Sequence, residues 1–280
     1  MKKNKILSLL FSLFSVLLFA QQEVTVMSYN IRLASVDDGP NHWNIRKQKL
    51  ADLIKYYDAD FIGVQEAQIP QLDFIKQNNP QLDFIGKPRS EDLNSEYSAI
   101  FYNKNKYNVL EQKTMWLSET PEVVSKGWDA AYNRIITYGL FQNKKTKQKF
   151  WVINTHFDHV GKIARQKSLE MIDQLIQSVN QKTQIPTFFM GDFNVNQNEE
   201  NIITFQKKYN DTRLTAEFVY GPDFTWEDFK FQSKGTEILD YIFYKKDKNV
   251  VCKSFNTIDD FYDFKYPSDH LPILAKFIIK

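Results

Sequence analysis

Eight short apolar runs constrain this chain more than any other feature. They are EVTVMSYNI (23–31), DFIGVQ (60–65), YSAIFY (97–102), RIITYGLF (134–141), KFWVINT (149–155), IPTFFM (185–190), ILDYIFY (238–244) and LPILAKFII (271–279). Each is rich in β-branched and aromatic side chains and has the length of a strand rather than of a helix. Two longer segments behave differently. Leu50, Leu53, Ile54 and Tyr57 recur at helical spacing within 44–57, and Leu169, Ile172, Ile176 and Val179 do so within 163–179. NKKTK (143–147) separates two of the strand-like runs and predicts an antiparallel hairpin turn. Strands interspersed with helices predict an α/β (α+β) layered domain with mixed sheets. No linker rich in Pro, Gly or Ser divides residues 21–280, so one domain is expected. The hexapeptide PQLDFI occurs twice, at 70–75 and 80–85, too closely spaced for a solenoid repeat.

The first 20 residues, MKKNKILSLLFSLFSVLLFA, place Lys2, Lys3 and Lys5 ahead of an apolar stretch broken only by serines. That is the layout of a secretory signal peptide. Residues 6–20 fall short of the ~20 apolar residues a spanning helix needs. Cleavage near Ala20 and export are therefore expected, with no stable membrane anchor. Without those three lysines the 36 basic residues become 33, against 34 acidic ones. A near-neutral chain lacks the basic footprint of a nucleic-acid binder, so net charge does not indicate a nucleic-acid partner. The single cysteine, Cys252, has no intramolecular partner and reads as a small buried apolar side chain. A monomer is expected.

Polar residues mark the strand ends in a consistent way. Asn30 closes the first run, Glu66 follows the second, and His156 follows KFWVINT. Asp192 and Asn194 follow IPTFFM, Asp240 lies within ILDYIFY, and Asp269 and His270 precede the last run. Where strands run in both directions, such ends share an edge and their side chains gather on one rim. Glu66, Asp192, Asp240 and Asp269, with the amides Asn30 and Asn194, are hard oxygen donors suited to Mg²⁺ or Mn²⁺. Imidazoles beside such a cation can donate hydrogen bonds to a phosphoryl oxygen as its charge grows. A carboxylate positioned by an amide can orient and deprotonate a water. Together these groups describe phosphoester hydrolysis by in-line attack.

Two other chemistries compete. NTHFDH (154–159) packs His156, Asp158 and His159 together, as a zinc hydrolase would, but Asn154 occupies the place of that motif's first histidine. The chain has four histidines in all, which leaves few to complete a zinc cage. A non-catalytic binding module is the second alternative, and it conflicts with a competent residue at every position of the set.

The ordered series SYNIR (28–32), GVQE (63–66), NTH (154–156), GDFN (191–194) and SDH (268–270) resembles the endonuclease/exonuclease/phosphatase superfamily across nearly all of residues 21–280. That superfamily includes deoxyribonuclease I, abasic-site endonucleases, deadenylases, neutral sphingomyelinases and inositol-polyphosphate 5-phosphatases. The finer spacing of DDGPNHW, EYSAIFY, WLSETP, KGWDAA and NTHFDHVGKIAR resembles a compact exported bacterial subgroup.

The resemblance implies a four-layer sandwich, two mixed sheets face to face with helices outside. It implies Glu66 as the principal metal ligand, Asn30 beside it on metal or phosphate, and Asp269 at the metal. Asp192 would activate the water and Asn194 would steady it. His156 and His270 would hold the scissile phosphate, with Asp240 paired to His270. Glu96 matches a position that pairs with the first catalytic histidine, and Arg134 matches a basic position near the phosphate. Asp158 and His159 belong to the subgroup's own motif and are candidates for substrate contact. Arg32, Arg46 and Arg165 read as structural. Trp43, Trp116, Trp128 and Trp226 either line a pocket or pack beneath loops. The lysines of 144–149 read as a solvated hairpin. The expected substrate is a small phosphoester, with an extracellular nuclease as the alternative.

Overall fold

Side-chain alternation along the first strand decides the layering. In the computed structural model, which describes residues 21–231, 235 and 237–280, β1 (Gln22–Asn30) buries Val24 and Val26 on one face and Met27 and Tyr29 on the other. A strand buried on both faces must lie between two layers. The chain continues through α1 (Trp43–Tyr57), β2 (Phe61–Ala67), α2 (Ile69–Asn78), β3 (Leu82–Ile85), β4 (Tyr97–Asn103), β5 (Tyr107–Trp116) and β6 (Ile135–Asn143). It then forms β7 (Lys149–His156), α3 (Lys162–Val179), β8 (Thr187–Asp192), α4 (Glu200–Lys208), β9 (Tyr209–Asp211), α5 (Thr212–Thr215) and β10 (Phe218–Tyr220). The last strands are β11 (Asp240–Lys245), β12 (Val250–Thr257) and β13 (Ile273–Ile279).

A seven-stranded sheet has the order β10-β12-β13-β1-β2-β4-β3, and a six-stranded sheet the order β5-β6-β7-β8-β11-β9. Both are mixed: β1 and β2 are parallel, as are β7 and β8, while β13, β4, β6 and β11 run antiparallel to their neighbours. Val24, Val26 and Phe61 of one sheet meet Phe150, Phe188 and Met190 of the other in a shared core. Leu50, Leu53 and Ile54 of α1 and Leu72 and Ile75 of α2 cover the outer face of the seven-stranded sheet. Leu169, Ile172 and Ile176 of α3 and Ile202 and Phe205 of α4 cover the outer face of the six-stranded sheet. The protein is the four-layer sandwich. Among the described residues, no helix is long and apolar enough to cross a membrane.

The same alternation places polar residues on the inner face at one end. Beyond Val24 and Val26 come Ser28 and Asn30. Beyond Phe150 and Val152 come Asn154 and His156, and beyond Phe188 and Met190 comes Asp192. Register aligns these positions, since His156 pairs with Asp192 and Asp192 with Asp240. The C-terminal ends of β1, β2, β7 and β8 therefore share a rim with the N-terminal ends of β4, β6, β11 and β13. The lysine-bearing turn 144–147 joins β6 to β7 at the opposite end, is exposed, and is stapled by the Asn143 side chain, which accepts from the Lys145 and Thr146 amides.

Asn154 ties the two sheets together beneath the rim. Its amide nitrogen donates to Val64 O at 2.9 Å and Ala99 O at 2.8 Å, and its oxygen accepts from Gln65 Nε2 at 2.7 Å. Gly63 makes room, because a Cβ there would lie 2.7 Å from Asn154 Oδ1. Just beyond, a register shift between Val64 and Ala67 leaves Glu66 with φ of 57°, which turns its side chain toward the rim. Cys252 is buried as expected, and burial pushes its thiol up to about 12. Residues 1–20, read as a signal peptide, lie outside the described residues.

Replacing Asn154 with Ala leaves two strand carbonyls without this buried donor. At roughly 1–3 kcal/mol for each unmet buried group, Asn154→Ala should lower the unfolding free energy by about 3 kcal/mol. Chemical denaturation measures this directly, and a loss below about 1 kcal/mol would remove Asn154 as the tie between the sheets.

Candidate active site

Asn30 is the hub of the rim. It is fully buried, and its Nδ2 donates to Glu66 Oε1 at 3.1 Å and to Asp192 Oδ2 at 3.0 Å, joining an acid of each sheet. Its oxygen accepts from the Arg32 amide at 3.1 Å. The Ser268 hydroxyl donates to Asn30 O at 2.8 Å, which brings Asp269 and His270 against β1. Arg46 acts as a buried clamp, donating to Ile31 O, Arg32 O and Pro267 O at 2.7, 2.8 and 3.0 Å. Arg32 pairs with Asp38 and lies 3.8 Å from Asp269.

Two histidines flank Asp192, and their proton affinities are shifted in opposite directions. His270 Nδ1 lies 2.8 Å from Asp240 Oδ2, the pairing that the resemblance implied, and its Nε2 lies 3.7 Å from Asp192 Oδ2. Burial opposes its charge, but Asp240 and Asp192 outweigh burial and raise its pKa well above the ordinary value. His156 Nε2 lies 3.5 Å from the same Asp192 oxygen. Burial, reinforced by Arg134 and Arg89, pushes its pKa well below the ordinary value. Hydrogen bonding agrees: Asn194 Nδ2 donates to Phe157 O and to His156 Nε2, each at 3.0 Å, so that nitrogen is an acceptor. In the free protein the surroundings therefore favour a proton on His270 and disfavour one on His156. Asp192 itself is drawn upward by burial and by Asp240, against the pull of His270. Asn194 steadies it through its backbone N–H, 2.9 Å from Asp192 Oδ1.

Glu66 and Asp269 are rim carboxylates close enough for the charge of one to be felt by the other. Burial first and then the Glu66 charge raise Asp269, the signature of two carboxylates sharing one locality. This donor set fits a hard divalent ion. Asn30, expected among the metal ligands, faces the acids with its nitrogen, which donates and cannot ligate. Asp192, Asp240 and His270 also offer atoms within 4.8 Å of one another. In that trio the two carboxylates favour a proton on the His270 ring, with which a metal would have to compete.

The opposite flank is basic. Arg134 Nε lies 3.3 Å from Asp158 Oδ2, and Arg134 Nη2 lies 3.1 Å from His159 Nδ1. Asp158, expected to contact substrate, is instead buried and saturated. Its oxygens accept from the Val160, Gly161 and Tyr132 amides at 3.0, 2.8 and 3.3 Å. Burial opposes ionisation, but those N–H groups and Arg134 hold its carboxyl well below the usual range. Its work is to fix Arg134 and two loops. His159 is exposed, stacks on Tyr132, and remains available to a substrate. Arg165 donates to Asp158 O at 3.1 Å, a structural contact. The pairing of Glu96 with a histidine is not made. Glu96 Oε1 lies 2.5 Å from Arg89 Nη2, because a guanidinium competes better than a neutral imidazole for a carboxylate.

Arg89 is the residue that sequence reasoning missed. It stands in KPRSED, outside every quoted motif, and comes to the site through the backbone bond from its own N to Glu96 O. The tryptophans divide. Trp43 and Trp116 are buried, whereas Trp226 is 36% exposed and pairs through its backbone with His270 at the rim. A cavity of about 680 Å³ between α3 and α4 is lined by none of these groups.

A two-sheet sandwich with acids, amides and unlike histidines on one rim defines a phosphoester hydrolase. The chain belongs to the endonuclease/exonuclease/phosphatase family, which it matches over residues 27–270. Enzymes of that family depend on a divalent metal. The structure is similar to a family member from Bacteroides thetaiotaomicron, with a TM-score of 0.89, 31% identity, and coverage of 94% of this chain and 100% of the other. It is also similar to the mannosyl-6-phosphatase Bt3783 of the same organism, with a TM-score of 0.87, 32% identity, and coverage of 91% and 99%. An Acanthamoeba polyphaga mimivirus protein of unassigned function is 29% identical over 84% of this chain and 92% of its own. The chain spans about half, 51%, of a Mycosarcoma maydis CCR4-Not 3'-5'-exoribonuclease subunit that it matches at 23% identity.

Asp240→Asn removes the charge that keeps His270 protonated. His270 should then lose its proton at lower pH, moving the alkaline limb of the pH–rate profile toward acid and cutting activity at pH 8 by about 10-fold or more. Superimposable profiles for the two proteins would dissociate Asp240 from His270.

Proposed function

We propose that this protein hydrolyses a small phosphoester, such as a phosphorylated sugar, with Mg²⁺ or Mn²⁺ held by Glu66 and Asp269. The observation that carries this reading is Asp192, buried between the unlike histidines and steadied by Asn30 and Asn194. A carboxylate whose proton affinity is raised by burial is a better base for a water poised for in-line attack. His270, as a cation, faces the developing phosphoryl charge. Arg134, fixed by Asp158, supplies a second positive group. The negative charge of a bound phosphoryl group offsets the guanidiniums beside His156 and favours its protonation, so His156 becomes a donor once substrate is present. The bound metal supplies Lewis-acid stabilisation of the same charge.

Substrate size follows from burial and composition. Asp192, His156 and His270 are nearly inaccessible, and residues 21–280 are close to neutral. Tyr132, His159 and Trp226 give the mouth exposed ring surfaces suited to a sugar. The likeness to a protein named mannosyl-6-phosphatase supports a sugar over a polymer. We also propose that residues 1–20 direct export, from their charge and apolar layout.

Purified protein with Mg²⁺ or Mn²⁺, offered p-nitrophenyl phosphate, bis(p-nitrophenyl) phosphate, hexose phosphates, plasmid DNA and RNA, tests the proposal. Turnover of a small ester should exceed that of either polymer, vanish with chelator, and fall ~10² or more in Asp192→Ala or His156→Ala. Faster cleavage of RNA or DNA would install the nuclease reading. Intact mass of exported protein should begin near Gln21.

A further inference from the structure

Beside His156 lies a narrow slot that none of the roles above uses. Arg89, Glu96, Ser98, Asn133, Arg134 and His156 line it, and it holds about 10 Å³, room for one water-sized atom. Two guanidiniums reach it from different loops, and each is fixed in advance. Glu96 holds Arg89 at 2.5 Å and Tyr132 lies beneath it at 5.0 Å, while Asp158 and His159 hold Arg134 at 3.3 and 3.1 Å. Among the described contacts, Arg134 uses Nε and Nη2 and Arg89 uses Nη2, so N–H donors remain on both.

We infer that this slot receives one unsubstituted phosphate oxygen, and that it makes the enzyme select phosphomonoesters over phosphodiesters. The inference rests on the hydrolytic reading above. A monoester group carries three non-bridging oxygens, so one can enter the slot while the others face His270 and the metal side. A diester keeps only two such oxygens: either its carbon-bearing oxygen meets a hole sized for one atom, or, with a free oxygen in the slot, that substituent must turn toward the buried Asp192 and His270, and each pose is opposed by contact. Guanidinium N–H groups match the charge and planar spacing of phosphate oxygens, and rigid partners spare the cost of ordering them. Glu96 acts here as a positioning residue for Arg89, which explains why its carboxylate pairs with that guanidinium rather than with His156.

Two variants probe the charge and the space separately. Arg89→Gln removes one guanidinium, and Ser98→Val fills the slot without changing charge. In each, kcat/KM for p-nitrophenyl phosphate should fall at least 10-fold more than that for bis(p-nitrophenyl) phosphate, and Arg89→Lys should lie between Arg89→Gln and wild type. Binding gives an independent reading that needs no turnover. Wild type should hold inorganic phosphate at least 10-fold more tightly than dimethyl phosphate in ³¹P NMR titrations, and Arg89→Gln should lose that preference. If wild type hydrolyses neither ester, the hydrolytic reading itself fails. If wild type hydrolyses them and the variants lower both alike, or wild type binds both anions equally, the slot is not a selectivity site and only this inference falls. Should Arg89→Gln fail to fold, Ser98→Val and the wild-type binding ratio decide the matter.

Discussion

The structure depends on a polar strut between two apolar sheets. Asn154 leaves β7 on the inner face, where the alternation would otherwise put another core side chain, and bonds carbonyls of β2 and β4. A buried amide without those partners is costly, so the contact fixes one sheet against the other more sharply than oily packing can. The absence of a side chain on Gly63 lets it through. Once the sheets are registered, Asn30 of one meets Asp192 of the other, and each remaining group at the rim takes its place from a strand end.

Charge across that rim is graded. Glu66 and Asp269 crowd one side with Arg32 near Asp269, Asp192 and the two histidines occupy the middle, and Arg134 and Arg89, each paired with a carboxylate, stand beside His156. The gradient explains why neighbouring imidazoles differ. His270 lies against Asp240, which outweighs burial and favours its proton, whereas burial and then the guanidiniums disfavour one on His156. A cation on the acidic side and an anion on the basic side would cancel the gradient together, and a divalent metal with a phosphate is such a pair.

Much of this was legible in the sequence, because strand ends announce themselves. All eight apolar runs contain or overlap strands, and both periodic segments are helices. Asn30, Glu66, His156, Asp192, Asp240 and His270 converge because each sits at or beside the end of a strand. What escaped lacks that signal. The strand β5 carries Glu111, Gln112 and Lys113 exposed along a sheet edge, and β12 is broken by a bulge near Lys253. PQLDFI shows the limit most plainly. Its first copy lies within α2, started by the Gln68–Gln71 capping box, and its second enters β3 beside β4. Identical residues cannot encode that difference locally, so tertiary context decides. Partnerships were equally hidden. Nothing in EYSAIFY shows that Glu96 meets Arg89, and nothing in NTHFDH separates a saturated Asp158 from an exposed His159.

The central claim is that one rim divides its work, with cation to the acids and anion to the bases. Anomalous diffraction from crystals grown with Mn²⁺ and inorganic phosphate tests it most directly. The account predicts the Mn²⁺ peak at Glu66 and Asp269, with phosphate bounded by His156, His270 and Arg134. A peak among Asp192, Asp240 and His270, or phosphate bound away from Arg134, would contradict it.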